Sequence, residues 1–580
     1  MEMLWNLDKL YKSFEDERLE ADIKKTGELI RNLEDRIEAA LKDNDKSMET
    51  LEWFIRTNNE LGDLFGNVYI YAQLVYSVDT NNMKALKVIE RAEKFLPSLA
   101  VFEVRFTKWL KTLENIDYRG IIEEHRFSIE EILRQARYML DDKSEMIIAT
   151  LRNTGSGAWE KLQDTLVSSL SVDMDGKKLP LPAVRNLAYD KSAEVRRKAY
   201  EAELAAYPSV EKSSAACLNA IKGEVIEMVK LRGYESPLDM TLLTSRMDRE
   251  TLDAMIAAMK EYLPHFHRYL RKKASMLGYD GGLPFYELFA PIGGADREFT
   301  FEEARDYIVR NFSSFSSELG NYAATAFDDN WIDAKIRDGK IGGAFCANIH
   351  GIKESRIMSN FSGVFSDVTT LAHELGHGYH GHCLKDATNT NSDYPMPLAE
   401  TASIFCESIV MNAALKDADH DEAKAILEHS LLEATQVIVD ILSRYIFETE
   451  LFEKRKEGSL SVDELKDAMI RAQKEAYGDG LDENALHPYM WLCKTHYYNA
   501  RRNFYNFPYA FGLLFAKGLY AMYLEEGESF IRKYDRLLYE TGKNDIRGVL
   551  ATVGVDSGDI NFWRKSLELI KEDVDKFVSL

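Results

Sequence analysis

Residues 368–382 read VTTLAHELGHGYHGH, and they hold four of the 12 histidines in a chain of 580 residues. Composition predicts on the order of 0.02 chance occurrences of H-E-x-x-H in such a chain, so the pattern asks for a chemical reason. His373 and His377 are four apart. On a helix of 3.6 residues per turn their rings leave the same face one turn apart, as two ligands of one metal ion must. Val368, Leu371, Ala372 and Leu375 line one side of the same helix, and Asp367 is expected to cap its start. Glu374 then lies beside the two imidazoles, placed to take a proton from a metal-bound water.

A catalytic zinc needs three protein ligands and an open position. The next candidates are in SDYPMPLAETASIFCESIVMNAAL, residues 392–415. Pro395 and Pro397 close a loop, and an apolar helical pattern follows with Glu400 and Glu407 on one face. An acid on an apolar face needs a partner. Glu400 is favoured as the third ligand, and Glu407 as a hydrogen-bond partner of a ligand histidine, with a plain core salt bridge as its alternative. His380 and His382 read as structural or cleft-lining groups. Amide hydrolysis also needs a donor for the developing oxyanion. THYYNARRNFYNFPYAFGLLF, residues 495–515, offers His496, Tyr497, Tyr498, Tyr505 and Tyr509, with an aromatic core seam as the competing explanation.

Away from these stretches, the first 190 residues read as all-α, with amphipathic runs such as DIKKTGELIRNLEDRIEAALKD and a capping box expected at Ser128 and Glu131. Their aromatics Trp53, Phe54, Phe65, Tyr69 and Tyr71 suit helix-on-helix packing better than a substrate wall. Glycine-punctuated apolar runs at 278–294 and 332–363 suggest a small sheet just before the metal helix. There SRIMSNF, residues 355–361, reads either as a strand with an exposed edge for an extended peptide or as an interior strand. A second capping box is expected at Ser461 and Glu464. The balance of 73 Lys+Arg against 96 Asp+Glu, net −23, argues against nucleic acid or anionic membrane as partners. No signal segment is evident, and five scattered cysteines, read as buried small apolar residues, suit a reducing cytoplasm.

Taken together, NFSGVFSDVTTLAHELGHGYH, PLAETASIFCE and the His/Tyr-rich segment resemble, in order, the thimet oligopeptidase and oligoendopeptidase F family of zinc metallopeptidases. Residues 190–575 carry most of the resemblance, and 110–185 resemble the segment preceding the catalytic part in the oligoendopeptidase F branch. The resemblance implies one zinc per chain on His373, His377 and Glu400, with Glu374 as base and His496, Tyr505 and Tyr509 facing substrate or oxyanion. NARRN stands where the thimet branch has a glycine-rich loop, which leaves open which tyrosine does what. The implied fold is a mainly α ellipsoid with a deep central channel and a small β-sheet beside the metal helix. In it residues 1–190 form part of the channel wall and 191–580 the catalytic domain. The implied activity is cytoplasmic endopeptidase action on short unstructured oligopeptides, with a carboxy- or aminopeptidase, or a non-catalytic peptide binder, as the rival readings.

Overall fold

The computed structural model describes residues 2–43, 46–293 and 298–580. They form a mainly α fold with two small sheets. The chain divides into two compact units that interleave along it. One comprises Met1–Arg137, Asp296–Ala413 and Met522–Val555, and the other Tyr138–Ala295, Ala414–Ala521 and Asp556–Leu580. The 1–190 and 191–580 division concerns proposed roles and is distinct from this one.

In the first unit, Asp16 caps the Glu17–Ala40 helix by accepting from Arg18 N. Leu33 and Ile37 of that helix join Leu51 and Phe54 of Ser47–Val78, and Trp109 and Leu110 of Leu96–Leu110, in one core cluster. Phe54 meets Phe102, Phe106 and Trp109 at centroid distances of 5.3–5.6 Å. Each such buried aromatic contributes about 1.5–3 kcal/mol. Tyr71 is buried and Trp53, Phe65 and Tyr69 pack against the same unit's core, which is the packing reading of the aromatic stripe. No capping box forms at Ser128. The residue lies inside the Arg126–Ala136 helix and its hydroxyl donates to the His125 carbonyl, while Glu131 turns inward and accepts from Gln135.

The sheet expected before the metal helix is present. β3 (Ile332–Asp333), β4 (Phe345–Ile349) and β5 (Glu354–Met358) run in the order β3-β5-β4, β5 parallel to β3 and antiparallel to β4. SRIMSNF therefore supplies the central strand, the interior one of its two readings, and β3 and β4 are the outer strands. The earlier glycine-rich run contributes one isolated bridge, Leu283 to Leu481, and its Gly294 lies outside the described residues.

The second unit holds a feature the all-α reading of residues 1–190 missed: the hairpin of β1 (Ser171–Met174) and β2 (Lys177–Pro180). Its turn residues Asp175 and Gly176 both have positive φ, 53° and 81°. Asp-Gly between short apolar-polar alternations is the sequence signal for such a turn. The Arg249–Met276 and Ile560–Ser579 helices pack together, with Tyr269 edge-on to Phe577. Ser461 and Glu464 form the expected capping box. Buried ion pairs here include Arg196–Glu287 and Lys273–Glu428 at 2.5 Å and Lys222–Glu448 at 2.8 Å.

Met396–Asp417 is long and apolar enough to cross a membrane by length and composition, but 61% of its most apolar window is buried inside the protein, as in a core helix.

Candidate metal centre

The motif helix runs from Phe365 to Leu384. Asp367 is not its cap. It sits in the first turn, and its carboxylate reaches back to accept from Ser362 N, Gly363 N and the Ser362 hydroxyl, which fastens the chain that leads into the helix. The helix lies on β4 and β5 on one side and on the Glu528–Glu540 helix on another. On that second side Tyr379 donates to Asp535 at 2.7 Å, and buried His380 shares a hydrogen bond with Thr541 at 2.8 Å while stacking on Tyr394 at 4.0 Å. Burial, with the His377 charge, lowers the His380 pKa to about 3. His380 is thus a neutral structural histidine. His382 lies between Glu318 and Lys385.

His373, His377 and Glu400 come together. One ligand atom from each lies within 4.8 Å of the others, and Glu400 Oε2 is 3.2 Å from His373 Nε2 and 3.4 Å from His377 Nε2. Glu400 sits at the junction of two helices, Met396–Ala399 and Thr401–Asp417. That break in the helix turns its carboxylate toward the histidines, and Ser403 Oγ holds it, donating at 2.8 Å. Glu407 Oε2 stands 3.3 Å from His373 Nδ1, so the outer nitrogen is engaged and Nε2 faces the cluster. Burial alone would lower the His373 pKa, but Glu400 and Glu407 outweigh it and raise it to about 10. Burial also opposes ionisation of Glu400, yet the two histidines hold its carboxyl well below the usual range. Glu374 is 7% exposed, and burial raises its pKa against the pull of His373 and His377. A nitrogen–nitrogen–carboxylate set with its outer imidazole atom already engaged fits a divalent zinc-like ion.

Two glycines make this packing possible. A Cβ on Gly376 would lie 2.6 Å from Ala402 O and Ser403 Cα, so only glycine lets the motif helix touch the backbone beside Glu400. A Cβ on Gly381 would lie 2.3 Å from the Asn348 side chain, which donates to the His377 carbonyl at 3.0 Å and ties β4 to the ligand turn. Ser403, Asn348 and these glycines were not singled out from the sequence. The spacing of Ser403 three residues after Glu400, and the repeated glycines within HELGHGYHGH, were the available signals.

His496, Tyr505 and Tyr509 belong to the second unit. Burial, reinforced by Arg444, Lys494 and Lys222, lowers the His496 pKa to about 2, and its buried Nε2 has no partner among the described residues. Tyr505 and Tyr509 hydroxyls are 3.1 Å apart. The chain before Tyr505 is held by a network: Glu448 accepts from Lys222 and from Phe504 N, and Lys222 also donates to Asn503. Phe504 itself has φ +51°, a strained value this network sustains. Of the five cysteines, Cys217 and Cys406 are buried as expected; Cys346, Cys383 and Cys493 are partly exposed, and Cys493 Sγ lies 2.8 Å from Arg185.

A mainly α protein whose H-E-x-x-H helix meets a glutamate from the following helices carries a candidate metal centre of two imidazoles and one carboxylate. Comparison with known proteins gives the family: residues 186–569 match Peptidase family M3, residues 107–171 match Oligopeptidase F, and the chain belongs to peptidase family M3. Among relatives, Oligopeptidase PepF of Bacillus subtilis is 23% identical over 99% of this chain and 87% of its own length. An oligoendopeptidase F homolog of Lactococcus lactis is 24% identical over 100% of this chain and 97% of its own. Among solved structures, a putative peptidase from Chlamydophila abortus superposes with TM-score 0.87 at 21% identity, covering 99% of this chain and 98% of that one. Oligoendopeptidase-F from Enterococcus faecium gives 0.67 at 17% identity, covering 97% and 98%. These structural likenesses are likenesses of fold. The chain is a peptidase of the oligoendopeptidase F type by family.

Proposed function

We propose that the chain is a zinc-dependent endopeptidase that hydrolyses short, unstructured oligopeptides, with one zinc held by His373, His377 and Glu400. The observation that carries this reading is the convergence of those three donor atoms within 4.8 Å, with Glu374 beside them. Bound there, zinc would supply a Lewis acid that polarises the scissile carbonyl and lowers the pKa of water at its open position. Glu374 accepts the proton of the attacking water and passes it to the leaving amine, and its burial-raised proton affinity suits that relay. Glu407 keeps the His373 ring aimed. Neutral His496 and the hydroxyls of Tyr505 and Tyr509 donate hydrogen bonds to the oxyanion or substrate, roles supported by the family resemblance and, for the two tyrosines, by the 3.1 Å approach of their hydroxyls. β4, one of the two outer strands of the sheet, takes an extended peptide as an added strand in this reading.

The resemblance also supports a channel walled partly by residues 1–190, with 191–580 as the catalytic part, and the acidic composition and free thiols support a cytoplasmic setting. A peptide blocked at both ends separates the readings: an internal cut found by mass spectrometry, abolished by chelator, supports the endopeptidase. Trimming of only unblocked peptides would favour an exopeptidase, and zinc-independent binding without products a binder. Glu374→Gln should keep its zinc and lose about 10²–10⁴ in kcat, because an amide cannot accept the water's proton. Substantial turnover in that variant would remove Glu374 from the base's role.

A further inference from the structure

A cavity of about 400 Å³ opens along the motif helix beyond its ligand residues. Gly381 and Lys385 line it, and they continue the His373–His377 row at the same four-residue spacing. Asn348, which holds the His377 carbonyl, and Tyr394, six residues before Glu400, line it too. The cavity is therefore contiguous with the turn that carries the second histidine.

Its charges are unequally satisfied. Glu354 is bound by Lys9 and Arg356, Lys353 by Asp386, and His350 by Asp63. Asp393 is exposed to solvent. Lys385 is partly buried, and its ammonium lies 3.0 Å from His382 Nε2. Burial and the Lys385 charge lower the His382 pKa against the pull of solvent-exposed Glu318, whose Oε1 is 3.3 Å from the same nitrogen, and the neutral ring accepts the lysine's proton there. Among the described residues Lys385 forms no ion pair. A half-buried ammonium against a single neutral acceptor keeps donor capacity for an anion entering the cavity.

The geometry points to this cavity as a substrate subsite that binds a carboxylate through Lys385. The inference rests on the peptidase reading of the neighbouring cluster. Eight helical residues separate Lys385 from His377, a rise of about 12 Å. An extended peptide covers that in three or four residues at about 3.3 Å each. The carboxylate is accordingly that of an acidic side chain, or of the peptide's own C-terminus, three or four positions from the scissile bond.

The test measures binding in the Glu374→Gln background, so that it does not depend on turnover. Fluorescently labelled peptides of one sequence are compared in two arms. In the first, both ends are blocked and a single Glu or Gln is stepped along the chain. In the second, the C-terminus is a free acid or an amide at varied length. A charge-assisted contact predicts that in one arm the carboxylate form binds on the order of ten- to a hundredfold tighter at one position, and the arm identifies its source. Lys385→Met should bring that ratio near one, and Lys385→Arg should restore much of it. A ratio near one in both arms, or one that survives Lys385→Met, overturns the subsite. Absence of cleavage by the unmutated protein would instead count against the peptidase reading, which the binding measurement leaves separate.

Discussion

Gly376→Ala offers a test in which the sign of the effect decides. In most helix interiors, replacing glycine by alanine stabilises by about 0.5–1 kcal/mol, because alanine loses less backbone entropy on folding. Here the added methyl would stand 2.6 Å from Ala402 O and Ser403 Cα and 2.9 Å from Ala402 C. Ordinary carbon contacts lie at about 3.5–4.0 Å. The contacted atoms are backbone, so no side chain can swing away, and the motif helix must part from the Thr401–Asp417 helix by close to 1 Å. Overpacking of that kind costs about 1–3 kcal/mol, enough to reverse the propensity gain.

The same displacement reaches the ligands. Ser403 is both the residue struck and the donor that holds the Glu400 carboxylate. Ligand distances in a metal site tolerate about 0.2 Å, so the parting should weaken zinc binding by roughly 10–100-fold, the scale of a lost supporting hydrogen bond. Thermal melting of metal-free protein and competition for zinc against a chromogenic chelator read the two effects. A variant that melts higher than the parent and binds zinc as tightly would refute the argued contact between the two helices.

Four further outcomes are expected. Glu400→Ala should lose zinc itself, since two imidazoles alone hold it weakly; full zinc content in the purified variant would move the third ligand elsewhere, to Glu407 first. Tyr505→Phe and Tyr509→Phe should lower kcat more than they raise KM, by as much as about 10²–10³, if their hydroxyls bond the oxyanion; unchanged kinetics in both would return them to packing. His380 stays neutral when folded, with a pKa of about 3, while in the unfolded chain it titrates near 6.5. Its contribution is intact above pH 6.5 and falls by about 1.4 kcal/mol per unit as pH drops toward 3, so His380→Gln should show a shallower acid loss of stability than the parent, and equal slopes would sink the assignment. A peptide offered free should be cut, and the same peptide inside a stable folded domain should not, because threading would require unfolding at about 5–15 kcal/mol; comparable cleavage would mean an open site.

What could be read from residues alone follows the range of the forces involved. His373 and His377 are fixed relative to each other by one helical turn, so their pairing is legible wherever the helix forms. Glu400 was legible as an acid on an apolar face that needs a partner, but the break between Ala399 and Thr401 that aims it is a tertiary arrangement. Ser128 followed by Glu131 satisfies the capping-box pattern, yet the helix begins at Arg126, so Ser128 lies inside it with its hydroxyl on the His125 carbonyl, and Glu131 is buried on the face that carries Ile129 and Ala136. Ser461 has no such competition and caps as expected. SRIMSNF showed that it was a strand; which strand lay at the edge depended on β3, a two-residue segment with no periodicity to detect.

The glycines mark where sequence and packing information meet. Within HELGHGYHGH the histidines declare a ligand through their spacing, whereas Gly376 and Gly381 declare an absence, a place where neither side chain nor methyl fits. An absence names no partner, so the approach of Ser403 and Asn348 could not be inferred from it. Lys385 is the same problem in electrostatic form. A lysine after a histidine-rich helix reads as a solvated end, favourable to the helix dipole and nothing more. Its meaning arises because, of the carboxylates around it, Glu354 and Asp386 are committed to Lys9 and Arg356 and to Lys353, while Glu318 and Asp393 stand exposed to solvent. A site defined by which groups are already taken becomes visible only when all of them have positions.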